Sequence, residues 1–477
     1  MLGENCGITG AYTIDKIASY LLYNSLVALQ HRGQEACGIA VLNGNEIIVD
    51  KSLGLVVNNF NLERLEKLKS NLGIGHVRYS TTGTSSLSEA HPIHVKDKNV
   101  EIALAFNGNI VNFLKIRKEL KEIGYSFETN SDGEVLAKLF FDEYKRTGDV
   151  EKVVDSIFNK LDGAYSVVAL TNNEEFIAFR DEHGFRPLNF GIDNNGNILI
   201  ASETVALDVN EISNFQTINP GEIFIVKDGN YKRKKLRDAK PTYCMFEYVY
   251  FSRPDSVFEN KVIYEVRYNL GKELAKTYKP DAEIIVPVPD TSRPAAEAIS
   301  QMTGLPVVEG LIKNRYIGRT FIMPTQKERD RNVKAKLNVV KSLIKDRKIL
   351  LIDDSIVRGT TMKRIIEMLR KAGAKRVEVW ITCPPIISPC FYGIDIAIHG
   401  ELIALNKNVE EIAKEIGADK LCYQTMEGLI RAIDHENKLC LGCLTGNYPT
   451  KQAQILSDDM KNKELKERSR YWEIEAR

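Results

Sequence analysis

Several groups of residues in this 477-residue chain have the types and spacing to do chemistry. The most explicit is the run KILLIDDSIVRGTT at 348–361, where a short apolar segment ends in Asp353 and Asp354. A loop of small and hydroxyl residues (355–361) follows, then a helical pattern over 362–371. A strand, a small-residue loop and a helix N-terminus form a phosphate site. Unpaired backbone N–H groups and the helix dipole point at the anion, and Ser355, Thr360 and Thr361 add hydroxyl donors. Adjacent carboxylates would repel phosphate; they suit sugar hydroxyls or a hard cation held between ribose and phosphates. A sugar carrying both a phosphate and a cation-bound polyphosphate satisfies every part. A second candidate is Cys6. If residues 1–5 were removed, its thiol would gain a free α-amino group with an ordinary pKa of about 7.7–8.0. Such an amine can activate its own nucleophile, although buried structural cysteine is the commoner reading of an isolated Cys-Gly. The third group is Cys244, Cys390 and the pair Cys440-x-x-Cys443, for which zinc is the first reading.

These groups need elements to hold them. A strand would begin at Cys6, a helical pattern covers 17–29, and 348–352 reads as a buried parallel strand. The Lys- and Arg-rich stretch 232–240, followed by Pro241, reads as a linker. Beyond it, apolar strands alternate with helices as a parallel sheet requires, including 284–292, a strand ending in a polar turn. The length suggests two to four domains. Lys+Arg number 65 against 64 Asp+Glu, so nothing marks a nucleic-acid binder. No apolar run approaches the length of a membrane-spanning helix, and residues 1–5 lack the basic and apolar regions of a signal peptide. A reducing, cytoplasmic compartment is the expectation. The eight cysteines therefore read as catalytic, metal-binding or buried before they read as disulfides.

The string DDSIVRGTT resembles the phosphoribosyl pyrophosphate (PRPP) motif of type I phosphoribosyltransferases and, in this longer form, that of the glutamine PRPP amidotransferase family. In the first half Cys6 precedes Gln30-His31-Arg32-Gly33-Gln34-Glu35, then His76-Val77-Arg78-Tyr79-Ser80-Thr81-Thr82-Gly83. Phe106-Asn107-Gly108-Asn109-Ile110 and Asn130-Ser131-Asp132-Gly133-Glu134 follow. Together these resemble the N-terminal-nucleophile (Ntn, class II) glutamine amidotransferases, in family order, over roughly residues 6–235. The resemblance implies a propeptide (1–5), an αββα Ntn-hydrolase sandwich (6–235), a type I phosphoribosyltransferase parallel-sheet α/β domain (236–456) and a charged helical tail (457–477). It also implies that Cys6 attacks the glutamine amide, and that the Asn107 side chain and Gly108 N–H hold the oxyanion. Arg78 would take the carboxylate of glutamine and Asp132 its ammonium, an apt division because a guanidinium fork pairs bidentately with a carboxylate. Arg32 would either contact glutamine or support the loop beneath it.

For PRPP the resemblance implies Asp353, Asp354, Ser355, Val357, Arg358, Gly359, Thr360 and Thr361, with Tyr316 and Lys334 from a flexible loop that closes over the substrate and builds a path for ammonia. Thr291, Asp353 and Asp354 would hold Mg2+. The stretches around Cys244, Cys390, Cys440 and Cys443 look like the iron–sulfur subgroup and imply a structural [4Fe–4S] cluster, which needs four thiolates. A homotetramer and feedback by purine nucleotides are implied, with no nucleic acid and no membrane as partners. His31, His76 and His91 read as site walls, Cys37 as core, and Cys383 and Cys422 as packing residues. Two stretches depart from the family: Glu89-Ala90-His91-Pro92, where Asn-Ala-Gln-Pro is expected, and Asp181-Glu182-His183-Gly184, where Pro would follow the Asp. The expected reaction converts PRPP, glutamine and water to 5-phosphoribosylamine, glutamate and pyrophosphate, at the entry to purine synthesis. Rival readings are another ammonia user such as a hexosamine-phosphate synthase, a PRPP-binding regulatory protein with a vestigial glutaminase domain, and a purely structural iron–sulfur scaffold.

Overall fold

Alternation of side chains along strands sorts the first half into layers. A computed structural model of the chain describes residues 6–79, 86–314, 337–396 and 399–462. In strand Glu101–Ile110, residues Ile102, Leu104 and Phe106 join the core beneath helices Asp132–Thr147 and Val150–Lys160, while Ala103 and Ala105 face the opposite sheet. Strand Ala36–Asn43 does the same on the other sheet. Its Cys37, Ile39 and Val41 pack under helix Ala18–Ala28, and Ala40 and Leu42 turn inward. Two antiparallel sheets result. One runs Phe215–Thr217, Asn189–Ile192, Ile198–Ala201, Gly7–Tyr12, Leu72–Arg78, Ala36–Asn43, Glu46–Leu53. The other runs Asn230–Lys235, Glu222–Lys227, Phe176–Arg180, Gly163–Thr171, Glu101–Ile110, Ile93–Lys96. With helices on both outer faces this is the αββα sandwich.

The second half has a four-stranded parallel sheet in the order Ile284–Pro287, Lys348–Asp353, Arg376–Ile381, Lys420–Tyr423. Its strands are mostly apolar because both faces are covered, and the buried Glu378 within Arg376–Ile381 accepts from Trp380 Nε1 at 2.8 Å. Ile349 and Leu351 pack toward helices Thr360–Lys371 and Val409–Ile416; Leu350 and Ile352 pack toward Ile263–Thr277 and Arg293–Thr303. The core under the sandwich's second helical layer is continuous with this one, and Phe185 stacks on Tyr392 at 4.2 Å across the junction.

Two boundaries differ from expectation. The first part of the basic stretch is no linker: Asn230–Lys235 is an edge strand, with Lys232 and Lys234 on Glu151 and Arg233 on Glu222. Its charges serve to keep a sheet edge soluble. The division at 456/457 falls inside one helix, Lys451–Asn462, whose Ala453, Ser457 and Met460 are buried.

Candidate active sites

The nucleophile candidate stands at the start of strand Gly7–Tyr12, where the antiparallel register pairs Gly7 with Val77 and so brings Cys6 level with Arg78. The half-buried thiol donates to the Tyr79 carbonyl at 3.5 Å. Burial pushes the thiol up, while the Tyr79 bond and the charge of Arg78 oppose that shift and Asp132 adds to it. Arg78 and Asp132 are thus both within electrostatic reach of Cys6. Asp132 owes its place to a helix start: Ser131 caps Asp132–Thr147 by accepting from Glu134 N at 3.3 Å, and Asp132 Oδ2 accepts from Ile110 N at 3.0 Å. That bond ties the helix to the strand carrying Asn107 and Gly108. Gly108 has φ +148°, and a Cβ there would lie 1.9 Å from the Ala164 carbonyl, so no other residue fits. The Asn107 amide is fully buried, and among the described residues neither its oxygen nor its nitrogen has a hydrogen-bond partner. Leaving such a group unpaired costs about 1–3 kcal/mol, which marks it as held for a ligand.

The stretch Glu89-Ala90-His91-Pro92 turns out to line this site. Glu89 forms a buried pair with Arg78 at 3.0 Å. His91 stacks on His76 with ring centroids 4.5 Å apart and leans on Phe106 at 5.6 Å. Both rings are kept neutral. Burial, with Arg78 adding, brings His76 down to about 3, and burial beside His76 and Arg78 holds His91 well below its ordinary range.

Arg32 does not reach the glutamine pocket as a substrate contact. It is 1% exposed, donates from Nε to the Cys6 carbonyl at 3.0 Å, and spends both terminal nitrogens on Glu203 and Glu247. Of the two roles open to it, loop support is the one the geometry gives. His31 is likewise displaced from the expected wall. Its Nε2 meets Glu203 at 2.7 Å, and the ring borders the second half's cavity instead.

In the acceptor site Asp353 ends its strand and Asp354 opens the loop. Thr291 Oγ1 donates to Asp354 Oδ2 at 2.5 Å, Ser355 Oγ to Asp354 Oδ1 at 2.6 Å, and Ser292 Oγ to Asp353 Oδ1 at 3.4 Å. Burial and then the neighbouring acid raise the Asp353 carboxyl; burial raises that of Asp354. A cation would relieve both. Gly359 at φ +74° precedes helix Thr360–Lys371 and touches Ile403, where a Cβ would come within 2.4 Å of Cδ1. Arg358 pairs with Glu401 at the rim. Buried Arg267 fixes the floor, donating to the carbonyls of Tyr248 at 3.0 Å and Ser252 at 2.8 Å. A cavity of about 610 Å³ holds Asp353, Asp354 and the loop to Thr361 together with Gln30, His31 and Gln34 of the first half. Tyr316 and Lys334 lie outside the described residues.

The four remaining cysteines meet at the junction of the halves. Cys244 and Cys440 are register partners in a two-residue parallel pair, and the Cys443 carbonyl accepts from Ile387 and Ser388 N, which brings in the segment bearing Cys390. Burial raises each of the Cys244, Cys440 and Cys443 thiols, to about 11 for Cys244, and neighbouring thiols add to it. Cys37, Cys383 and Cys422 are buried packing residues. Glu89, Glu203, Glu247, Arg186 and Arg267 are site residues that sequence reasoning missed. Glu247 lies in the stretch around Cys244 that resembles the iron–sulfur subgroup, but nothing local assigns it a role.

A catalytic-thiol site in an αββα sandwich joined to a strand–acid–loop–helix phosphate site defines a two-domain glutamine-dependent transferase. Residues 76–209 match the glutamine amidotransferase domain family and residues 258–386 the phosphoribosyl transferase domain family. The chain is 45% identical over 468 residues to the amidophosphoribosyltransferase of Methanothermobacter thermautotrophicus, covering 96% of this chain and 98% of that one. It is 41% identical to that of Bacillus subtilis, covering 95% and 96%. The solved glutamine PRPP amidotransferase of B. subtilis, complexed with ADP and GMP, superposes with a TM-score of 0.86 at 40% identity over 94% of this chain and 98% of that one. The chain belongs to the amidophosphoribosyltransferase family.

Proposed function

We propose that the two halves run one reaction in two places. Glutamine is hydrolysed at Cys6, and the ammonia released displaces pyrophosphate from C1 of PRPP, giving 5-phosphoribosylamine, glutamate and pyrophosphate. The shared cavity carries this reading, since walls from the nucleophile's domain close around the acceptor loop. Removal of residues 1–5 would expose the Cys6 amine, which takes the thiol proton as Sγ attacks the amide carbon. The Asn107 amide and Gly108 N–H stabilise the oxyanion, a contribution of about 3–4 kcal/mol per donor. Ammonia leaves with the proton returned by the amine, and water releases glutamate from the thioester. Arg78 orients the glutamine carboxylate, sharing its guanidinium with Glu89, and Asp132 takes the ammonium. In the second half, the backbone N–H groups and hydroxyls of Ser355, Val357, Gly359, Thr360 and Thr361 hold the 5-phosphate, and Arg358 closes the rim.

Thr291, Asp353 and Asp354 would hold Mg2+, which supplies charge neutralisation for the pyrophosphate. Both carboxyls are raised by burial and so favour a cation between them. Cys244, Cys390, Cys440 and Cys443 would hold a structural [4Fe–4S] cluster that pins the C-terminal segment to both domains, without a redox step. What supports the cluster is that all four thiols are buried and lie near one another at one junction. Purine nucleotides as regulators are supported by the ADP and GMP bound to the B. subtilis relative, and a homotetramer follows from the family resemblance. No helix of the described residues is long and apolar enough to cross a membrane. The test is glutamine-dependent pyrophosphate release from protein of known intact mass and iron content. A chain starting at Cys6, with one glutamate made per pyrophosphate, is expected; pyrophosphate release indifferent to glutamine would overturn the reading.

A further inference from the structure

Glu247 belongs by sequence to the second half, on the helical turn Glu247–Phe251, yet its carboxylate ends inside the first. It is fully buried and meets four donors. Oε1 accepts from Arg32 Nη2 at 2.7 Å and Arg186 Nη1 at 3.1 Å; Oε2 accepts from Arg32 Nη1 at 3.0 Å and Ser252 Oγ at 2.8 Å. Arg32 is thereby gripped through both terminal nitrogens by one carboxylate, with Glu203 on Nη1 at 2.6 Å. Its remaining nitrogen, Nε, holds the Cys6 carbonyl at 3.0 Å. We infer that Glu247 is a positioning residue for the nucleophile: the second half supplies the carboxylate that sets the arginine that fixes the backbone of Cys6.

The inference rests on the proposed role of Cys6. A nucleophile at a chain end is anchored through only one flanking peptide, so a hydrogen bond to its own carbonyl decides where thiol and amine point. A planar fork held bidentately has one orientation, and here that orientation is what aims Nε. Two buried cations, Arg32 and Arg186, face two buried anions, Glu203 and Glu247. Burial alone would raise the Glu247 carboxyl, but the charges and hydrogen bonds of Arg32, then Arg186, hold it low. A carboxamide in its place would turn an N–H toward a guanidinium N–H and release the fork. Glu247 has no exposed surface and does not line the acceptor cavity, so its effect is expected to be confined to the glutamine half-reaction.

The experiment compares full-length Glu247→Gln, Ser252→Ala and Cys6→Ala in two assays, glutamine hydrolysis and ammonium-driven pyrophosphate release. Glu247→Gln is expected to lower kcat for glutamine about tenfold or more, with KM for glutamine within about threefold and the ammonium-driven rate within about twofold. Ser252→Ala, which removes one of the four donors, is expected to move the same kcat by a smaller factor and decides the matter should Glu247→Gln not fold. Parallel loss in both assays would make Glu247 mere cement between the halves, and no change in either would make it idle; both overturn the inference. Glutamine hydrolysis surviving in Cys6→Ala would instead sink the reading on which it rests.

Discussion

The two reaction sites are built on opposite plans. The glutamine site is assembled from five separated stretches on both sheets of the sandwich. It is buried, and among the described residues the Asn107 amide has no hydrogen-bond partner. The acceptor site centres on one contiguous loop, 353–361, opens into a cavity of about 610 Å³, and has its carboxylates already bonded to Thr291, Ser292 and Ser355. The difference follows the chemistry. A covalent attack on an amide needs fixed dipoles aimed at charge that appears only in the transition state, and these are strongest where water is excluded. A polyanion needs an open, donor-lined floor that the substrate and its cation complete.

That contrast can be broken by experiment. Cys6→Ala should abolish glutamine-driven synthesis, by about 10³-fold or more, and leave ammonium-driven synthesis running; comparable loss of both would mean the sites are not separable. Asn107→Ala should lower kcat for glutamine hydrolysis by about 10²–10³-fold, as the loss of an oxyanion donor does, with the ammonium-driven rate as the control. Asp354→Asn should do the reverse, raising KM for PRPP about tenfold or more while glutamine hydrolysis without PRPP persists; an unchanged PRPP titration would remove the acid from the acceptor site.

The burial of the first site has a smaller consequence in stability. His76 titrates near 3 folded and near 6.5 unfolded, so between those values the unfolded chain binds more protons. Stability is therefore lost as pH falls below about 6.5, by about 2 kcal/mol at pH 5 from this ring alone. Asp353 and Asp354, raised by burial, act in the opposite sense. The measurement is accordingly a difference: denaturation midpoints at pH 7 and pH 5 for the parent chain and for His76→Phe, where the acid contribution cancels and the variant should lose less. Smallest of all should be Glu401→Ala, which frees Arg358 from a part-exposed rim pair of the kind worth about 0–1 kcal/mol, read as a change of a few-fold at most in KM for PRPP.

How much was legible in the chain follows the same division. The strand, acid pair, loop and helix start at 348–371 could be read because their geometry is fixed within a few residues by local rules: β-branched apolar runs, small loop residues, a helix N-terminus. The apolar run around Cys37 placed it in the core, where it lies. By contrast, the basic stretch at 232–240 looked like a linker because a charged edge strand and a loop share a composition.

What the sequence by itself determined, then, was the pair of chemistries and the order of the domains, because nucleophile, acid pair and phosphate loop are each specified by neighbours along the chain. Tertiary structure alone decided where Arg32 goes. Its partners Glu203 and Glu247 lie 171 and 215 residues away, and nothing local distinguishes a guanidinium bound for substrate from one bound for a buried carboxylate. The same holds for the His76–His91 stack, the Arg78–Glu89 pair and the cavity walled by both halves. Each depends on which faces of two sheets and two domains meet, and that is set by the summed packing of cores rather than by any residue's neighbours.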